Sequence, residues 1–338
     1  MSLSFRRSHS QTEAPAGFPH ATPIESLTML ARIGIVAFNT YRESVRARVL
    51  HGLFALALAT GGYSLVVGAF AIREGMRVVS DLGAASISLY GIVVAVVLGA
   101  TSLYRELELK TIFPILARPL RRSEYVVGKY FGTILTVAVF IAANAGALLL
   151  ALGHLGGRPL WQPTTVAVVS VVFLLVLGWR LPRWRTALPI PWALFLLAAG
   201  WVMATDAPDD RRVIAGLALL TLCEVGVIAA VATVFASFSS PFLTAVFTIG
   251  LFIVGRSADT LAHLPDRVFG SAVTSTGKLL SWVVPNLMLY VPQRPLLTGE
   301  ASGVELGSYL AMAASHALAW GVGLLTIAAL IFRRRDFL

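Results

Sequence analysis

Seven long stretches of this chain are almost free of charged side chains, and that pattern leaves few folds open. Residues 49–72, 82–104, 130–157, 159–179, 186–205 and 306–332 contain no Asp, Glu, Lys or Arg, and 213–255 contains one, Glu224. About 20 apolar residues in a helix cross a hydrocarbon core of roughly 30 Å. The whole chain is 57% hydrophobic and 13% charged, where soluble domains carry about 25% charged residues. Backbone groups in lipid must be bonded within their own segment or in a closed barrel. The runs are continuous rather than alternating, which argues for helices and against a barrel. The run 213–255 is roughly twice one crossing at about 1.5 Å per residue. A polar break, Ser237-Phe238-Ser239-Ser240-Pro241, falls near its middle, so it reads as two helices joined by a tight turn. The sequence predicts an all-α integral membrane protein, a polytopic bundle of about eight transmembrane helices.

Charge sets the expected orientation. An even number of spans puts both ends of the chain on one side. That side carries 18 Lys and Arg residues, in 1–49, 105–129, 180–185 and 333–335; the other carries nine. The positive-inside rule then predicts cytoplasmic termini. The net charge of +10 follows from this asymmetry. The basic residues are dispersed over membrane-proximal loops, which argues against a nucleic-acid partner. Residues 1–26 are polar, lack the apolar core of a signal peptide, and read as a disordered cytoplasmic tail.

Residues 27–49 read as an amphipathic helix ahead of the first span. Leu30, Ile33, Ala37, Tyr41, Val45 and Val49 recur at three or four residues. Arg42, Glu43 and Arg46 cluster towards its end, as in a helix that lies at the lipid interface. Residues 257–305 form a long outer loop. Within it, Leu279 to Gln293 is uncharged, too short to span and broken by Pro285 and Pro292. It reads as helices lying in or dipping into the outer leaflet.

The segment 105–127 is a charged hinge between two apolar runs. Pro114 and Pro119 interrupt helix formation. Ser123 is placed to cap the next helix, with Glu124 at its positive end. Within the spans Glu224 is the one carboxylate, with Asn144 and His154 as weaker polar candidates. A carboxylate in a span is costly, so Glu224 is expected to be neutral or paired with a polar group on another helix. A structural polar contact is the reading adopted over a substrate role. The single cysteine, Cys223, excludes an internal disulfide framework.

Four stretches, taken in order, resemble ABC transporter permeases of the type-two exporter class. Asn39 to Arg46 looks like that family's elbow helix. The hinge looks like its coupling region, through Arg105-Glu106, Thr111 to Leu116, Arg118-Pro119 with Arg121-Arg122, and Gly128-Lys129. Ser237 to Ser240, and the ending Phe332-Arg333-Arg334-Arg335-Asp336-Phe337, are the other two. The likeness spans roughly residues 28–338, and the multi-copper-enzyme maturation and gliding-motility permeases are the subgroup it is most similar to. One departure is that the family core has six spans, so residues 160–212 look like an inserted helical hairpin, expected at the bundle periphery.

The resemblance implies a permease subunit of an ATP-driven exporter in the bacterial inner membrane. It also implies a separate cytoplasmic ABC ATPase that holds ATP and Mg, and pairing with a second copy or a similar permease. Glu106, Glu108, Lys110, Arg118, Pro119, Arg121, Arg122 and Lys129 would meet that ATPase. The chain itself shows no Gly-x4-Gly-Lys-Ser/Thr phosphate loop, so no cofactor is expected on it. Two other classes were weighed. A secondary transporter needs buried ionisable groups, and Glu224 is the main candidate. A membrane scaffold for a complex needs none. Nucleotide dependence separates both from the exporter. An intramembrane enzyme lacks the motifs it would need.

Overall fold

A computed structural model describes residues 28–71, 74–108, 121–300 and 305–334, with side chains except at 103–108 and 334. Among the described residues the chain is helical throughout. The helices are α1 (Met29–Val45), α2 (Arg48–Phe70), α3 (Gly75–Glu108), α4 (Arg122–Leu155), α5 (Trp161–Arg180), α6 (Pro189–Met203), α7 (Pro208–Ala236) and α8 (Pro241–Arg256). Short helices α9 (Ala258–Ala262), α10 (Asp266–Phe269), α11 (Ser271–Val283) and α12 (Arg294–Thr298) follow, with a 3₁₀ turn at Leu287–Tyr290, before α13 (Leu306–Arg334).

Six of these helices are long and apolar enough to cross a bilayer: α2, α3, α4, α5, α7 and α13. Two more apolar helices are shorter, α6 with 15 residues and α8 with 16. At about 1.5 Å per residue they measure roughly 23 Å, less than the ~30 Å of a full crossing. The protein is therefore an all-α polytopic membrane protein. The 213–255 run does divide at its polar break. α7 ends at Ala236, and α8 opens on Ser240, whose hydroxyl accepts from the Leu243 N–H, with Pro241 in the first turn.

Burial sorts the bundle into a centre and a rim. In α3, α4 and α7, 61% of the apolar window is buried, against 17% in α2 and α13 and 11% in α5. α3 packs along α7, and both pack on α4. The outer helices present Phe70, Phe173, Phe242 and Leu318 outward, as helices bathed in lipid do.

α4 carries glycines along one face, at two heights. Its first three turns receive α1 in a parallel register. Arg32, Val36 and Thr40 of α1 stand opposite Glu124, Gly128 and Gly132 of α4. A Cβ on Gly128 would lie 2.6 Å from Val36, and one on Gly132 would lie 2.5 Å from the Ala37 carbonyl oxygen. Such small-xxx-small spacing lets two backbones approach closely. Further along, Gly146 meets the Leu196 backbone of α6, and Gly200 of α6 meets the Gly146 carbonyl at 2.6 Å from an added Cβ.

The buried face of α1 is Val36, Thr40, Tyr41 and Ser44. This corrects the stripe expected from spacing alone: Leu30 and Val49 are exposed, because the small polar residues are what fit against the α4 glycines. The helix that restarts after the hinge also differs from expectation. Its cap position is Arg121 rather than Ser123. Residues 160–212 divide between rim and centre. α5 is peripheral, whereas α6 is locked onto α4 through its glycine.

The Gly146–Gly200 contact has no room for a side chain. Gly200→Val should lower stability by about 1–3 kcal/mol, the usual cost of overpacking. A lower melting temperature of the purified protein in detergent checks this. An unchanged melt, with Ala at the exposed Gly62 as control, would show that α6 sits loosely on α4.

Candidate functional site

Three polar clusters at different heights tie the bundle together. We call the end that carries α1 the near end and the opposite one the far end. α3 and α4 each have 34 residues, about 51 Å at 1.5 Å per residue, and so outreach a ~30 Å core. Their charged ends are the near-end turns that flank residues 109–120.

The near-end cluster locks α1 to the start of α4. Glu124 is 1% exposed and accepts from the Arg121 backbone N–H at 3.1 Å, satisfying one of the unbonded donors of the helix start. Arg32 stands 3.8 Å from the same carboxylate. Lys129, 4% exposed, lies 3.6 Å from Glu43 and 5.8 Å over the Tyr125 ring. Beside it, Tyr125 stacks on Phe332 with centroids 6.2 Å apart, and Arg122 donates to the Arg333 carbonyl at 3.2 Å. Val36, Val126, Ala236 and Ala328 complete this small core. It therefore joins α1, α4, α7 and α13 just below the hinge.

The second cluster lies inside the membrane slab. Glu224, halfway along α7, is buried and accepts two hydrogen bonds from Arg256 at the end of α8, Nε to Oε1 at 2.8 Å and Nη2 to Oε2 at 2.9 Å. A parallel two-bond fork is the strong form of an arginine–carboxylate contact. α8 ends here because the chain turns at Ser257. Arg256 thus reaches back into the bundle. Arg256 borders a 660 Å³ cavity between α3, α7, α8 and the 3₁₀ turn, walled by Ile92, Leu217, Phe252 and Met288. Asn144 lies elsewhere, on α4 against a 200 Å³ space beside Gly61 and Gly62. Its amide donates to the Phe140 carbonyl at 2.8 Å, and its side-chain oxygen has no hydrogen-bond partner.

The third cluster closes the far end. Arg294 of α12 bridges Asp81 of α3 and Asp210 of α7. It also donates to Ser80 at 3.1 Å, and Ser80 donates to Asp210 at 2.7 Å. Partial burial works against the Arg294 charge, yet Asp210 and Asp81 outweigh it and raise its pKa above the ordinary arginine value. The segment after α8 packs inward as well. Leu287, Tyr290 and Leu297 are core residues, and Tyr309 donates to the Leu289 carbonyl at 2.6 Å.

The positions singled out from sequence fare unequally. Lys110, Arg118 and Pro119 lie outside the described residues, as do the side chains of Glu106 and Glu108. Arg121 is exposed, and Arg122 binds the α13 backbone. Lys129 and Glu43 come together, while Arg42 donates to Thr186 of the α5–α6 turn at 3.0 Å. Arg46 is exposed after α1. Sequence reasoning missed Arg32, Arg256 and Arg294. For Arg256 a signal existed, since it is the first charge after the run that holds Glu224.

This architecture agrees with a sequence comparison. The chain belongs to the ABC-2 family of transporter proteins, whose sequence profile matches residues 25–337. It is the membrane-embedded permease component of an ABC transporter. No curated protein matches it closely.

Removing one member of a buried ion pair leaves the other charge stranded, at about 3–5 kcal/mol. Arg256 keeps some exposure, so the lower end applies. Glu224→Leu should therefore destabilise strongly, and Glu224→Gln by less, because it can still accept from the guanidinium. The double change Glu224→Leu with Arg256→Leu should recover most of the loss. Melting curves of the wild type, the two Glu224 variants, Arg256→Leu and the double variant measure this. Additive losses in the double variant would show that the two groups do not interact.

Proposed function

We propose that this permease works in an ATP-driven exporter and takes its power stroke from a separate cytoplasmic ABC ATPase that docks on the coupling segment 105–127. The observation that carries this reading is the near-end cluster. A docking segment must hand motion to the spans, which needs a stiff joint. Here α4 enters the bundle already bound to α1 by Arg32–Glu124 and Glu43–Lys129 and to α13 by Arg122. A push on the hinge is thus shared by α1, α4 and α13 rather than lost in a loose loop.

The energetic logic is differential contact. ATP and Mg bind the partner, and closure of that partner moves its docking groove. The permease follows only as far as its helices are rigidly joined. The 660 Å³ cavity beside Arg256 offers a route that such a movement would open or close. The carboxylate of Glu224 is held in a two-bond fork, which removes it from the free carboxylates that a coupling-ion site would use. This weighs against a secondary transporter. A homodimer, or a pair with a similar permease, would complete the translocation path. The inner membrane is the expected site, with both termini in the cytoplasm.

Two measurements test this. Single cysteines at 257–300 should react with an impermeant reagent from outside, and those at 118–122 only after permeabilisation. Outside labelling of the hinge would reverse the orientation. Replacing Arg118 and Pro119 should lower co-purification with the ATPase by tenfold or more while insertion is unchanged. Glu43→Ala with Lys129→Ala should leave the complex intact but reduce substrate-linked ATP hydrolysis several-fold. Unchanged complex formation and unchanged transport in both variants would sink the docking assignment.

A further inference from the structure

The hairpin α5–α6 carries a groove apart from the three polar clusters. It has a volume of 560 Å³ and is lined by Val166, Val169, Phe173, Leu177, Trp192 and Phe195, among others. The one polar pair in its wall is self-contained, since Trp192 Nε1 donates to Ser170 Oγ at 3.3 Å. The groove opens on the outward face of α5, the least buried of the spans. Lipid is therefore the medium at its mouth.

Length and charge narrow the occupant. From Thr165 to Leu177 the groove follows α5 for roughly 18 Å at 1.5 Å per residue, close to the ~15 Å depth of one leaflet. At its near end it stops one turn short of the Arg180-Leu181-Pro182-Arg183-Trp184-Arg185 turn. All three arginines are exposed, and residues 159–205 contain no acidic side chain. Arg185 runs back over the end of α5, with its Cγ 3.7 Å from the position of a Cβ on Gly178. The Arg42–Thr186 hydrogen bond brings a fourth guanidinium to the same turn. Trp179 and Trp184, 81% and 64% exposed, flank it as interfacial tryptophans do.

We propose that this hairpin is a binding site for one anionic phospholipid of the near-end leaflet. One acyl chain lies in the α5–α6 groove, and the phosphate headgroup rests among Arg180, Arg183 and Arg185. Burying chain methylenes contributes about 0.8 kcal/mol each and holds any phospholipid, anionic or zwitterionic. The arginines supply the choice of headgroup, at about 1 kcal/mol or fivefold per basic residue. The site also links lipid to the transport machinery. α6 is locked to α4 at Gly146, and the basic turn touches α1 through Arg42, so an occupied groove stiffens both supports of the near-end joint.

The test uses the full chain in a neutral detergent, with phosphatidylglycerol and phosphatidylcholine of identical acyl chains as probes. Bound lipid is counted by native mass spectrometry. Phosphatidylglycerol should be retained on the order of tenfold to a hundredfold better than phosphatidylcholine. Arg180→Gln with Arg183→Gln and Arg185→Gln should abolish that preference. Val169→Trp, which fills the groove, should reduce binding of both lipids. Glycerol phosphate, a headgroup without a chain, should not compete. Independently of any variant, a photoactivatable phosphatidylglycerol should label the wild-type protein mainly within 165–195. Equal retention of both lipids, a preference that survives loss of the arginines, or label spread evenly over α2, α8 and α13 would overturn the proposal. So would competition by glycerol phosphate, or occupation of the groove by a second copy of the chain.

Discussion

Everything in this bundle is hung on the backbone of α4. Water supplies no hydrophobic drive between helices that are already in lipid, so association must come from close packing and satisfied polar contacts. α4 provides both, with its glycines in one stripe that α1 and α6 share end to end. Gly128 and Gly132 admit α1, and Gly146 admits α6 at Gly200. On the same helix, Val137, Phe140, Leu148 and Leu149 are buried in the main core, with Phe140 edge-on to Phe54 of α2 and Leu148 against Gly83 of α3. Without those glycines neither neighbour could approach, and the near-end charges would lose the geometry that pairs them.

The charges are arranged so that few are left stranded in a medium of low dielectric. At the near end, Arg32 and Glu43 of α1 answer Glu124 and Lys129 of α4. In the slab, Glu224 is answered by Arg256 from the next helix. At the far end, Arg294 is shared by two aspartates. Breaking any of these would leave an unpaired group whose desolvation is not offset. Buried pairs of this kind also specify which helices are neighbours, because each charge needs a partner of opposite sign within reach. In that sense the pairs fix the arrangement that the apolar surfaces alone would leave degenerate.

Much of the fold was legible because lipid imposes a simple rule. Charge-free runs of the right length become helices, and the break at Ser237–Pro241 separates α7 from α8 where the polar residues stand. What sequence could not supply was the third dimension. The buried stripe of α1 is set by the glycines of α4, 92 residues away in register, so periodicity within α1 alone placed Tyr41 correctly but missed Val36, Thr40 and Ser44. Arg256 looked like the first residue of a loop because it ends an apolar run. Its burial depends on α8 being one of the short helices. Arg294 lies in a stretch of irregular turns, and nothing local marks it as the bridge between two distant aspartates. Glu224 was recognisable as requiring a partner, but the partner's identity is a property of packing.

The three ion clusters differ in the solvent that reaches them. Glu224 is 1% exposed and Arg256 25%, whereas at the far end Asp81 is 48% exposed. Mobile ions screen exposed charges over about 8 Å at physiological ionic strength and about 3 Å at 1 M salt, but they do not enter hydrocarbon. The grip of α12 on α3 and α7 is therefore set in part by the salinity of the surrounding fluid, while the inner pair keeps its strength. A cell that meets changing osmolarity would in this way alter how firmly the far-side segment is held, with no molecule binding to it.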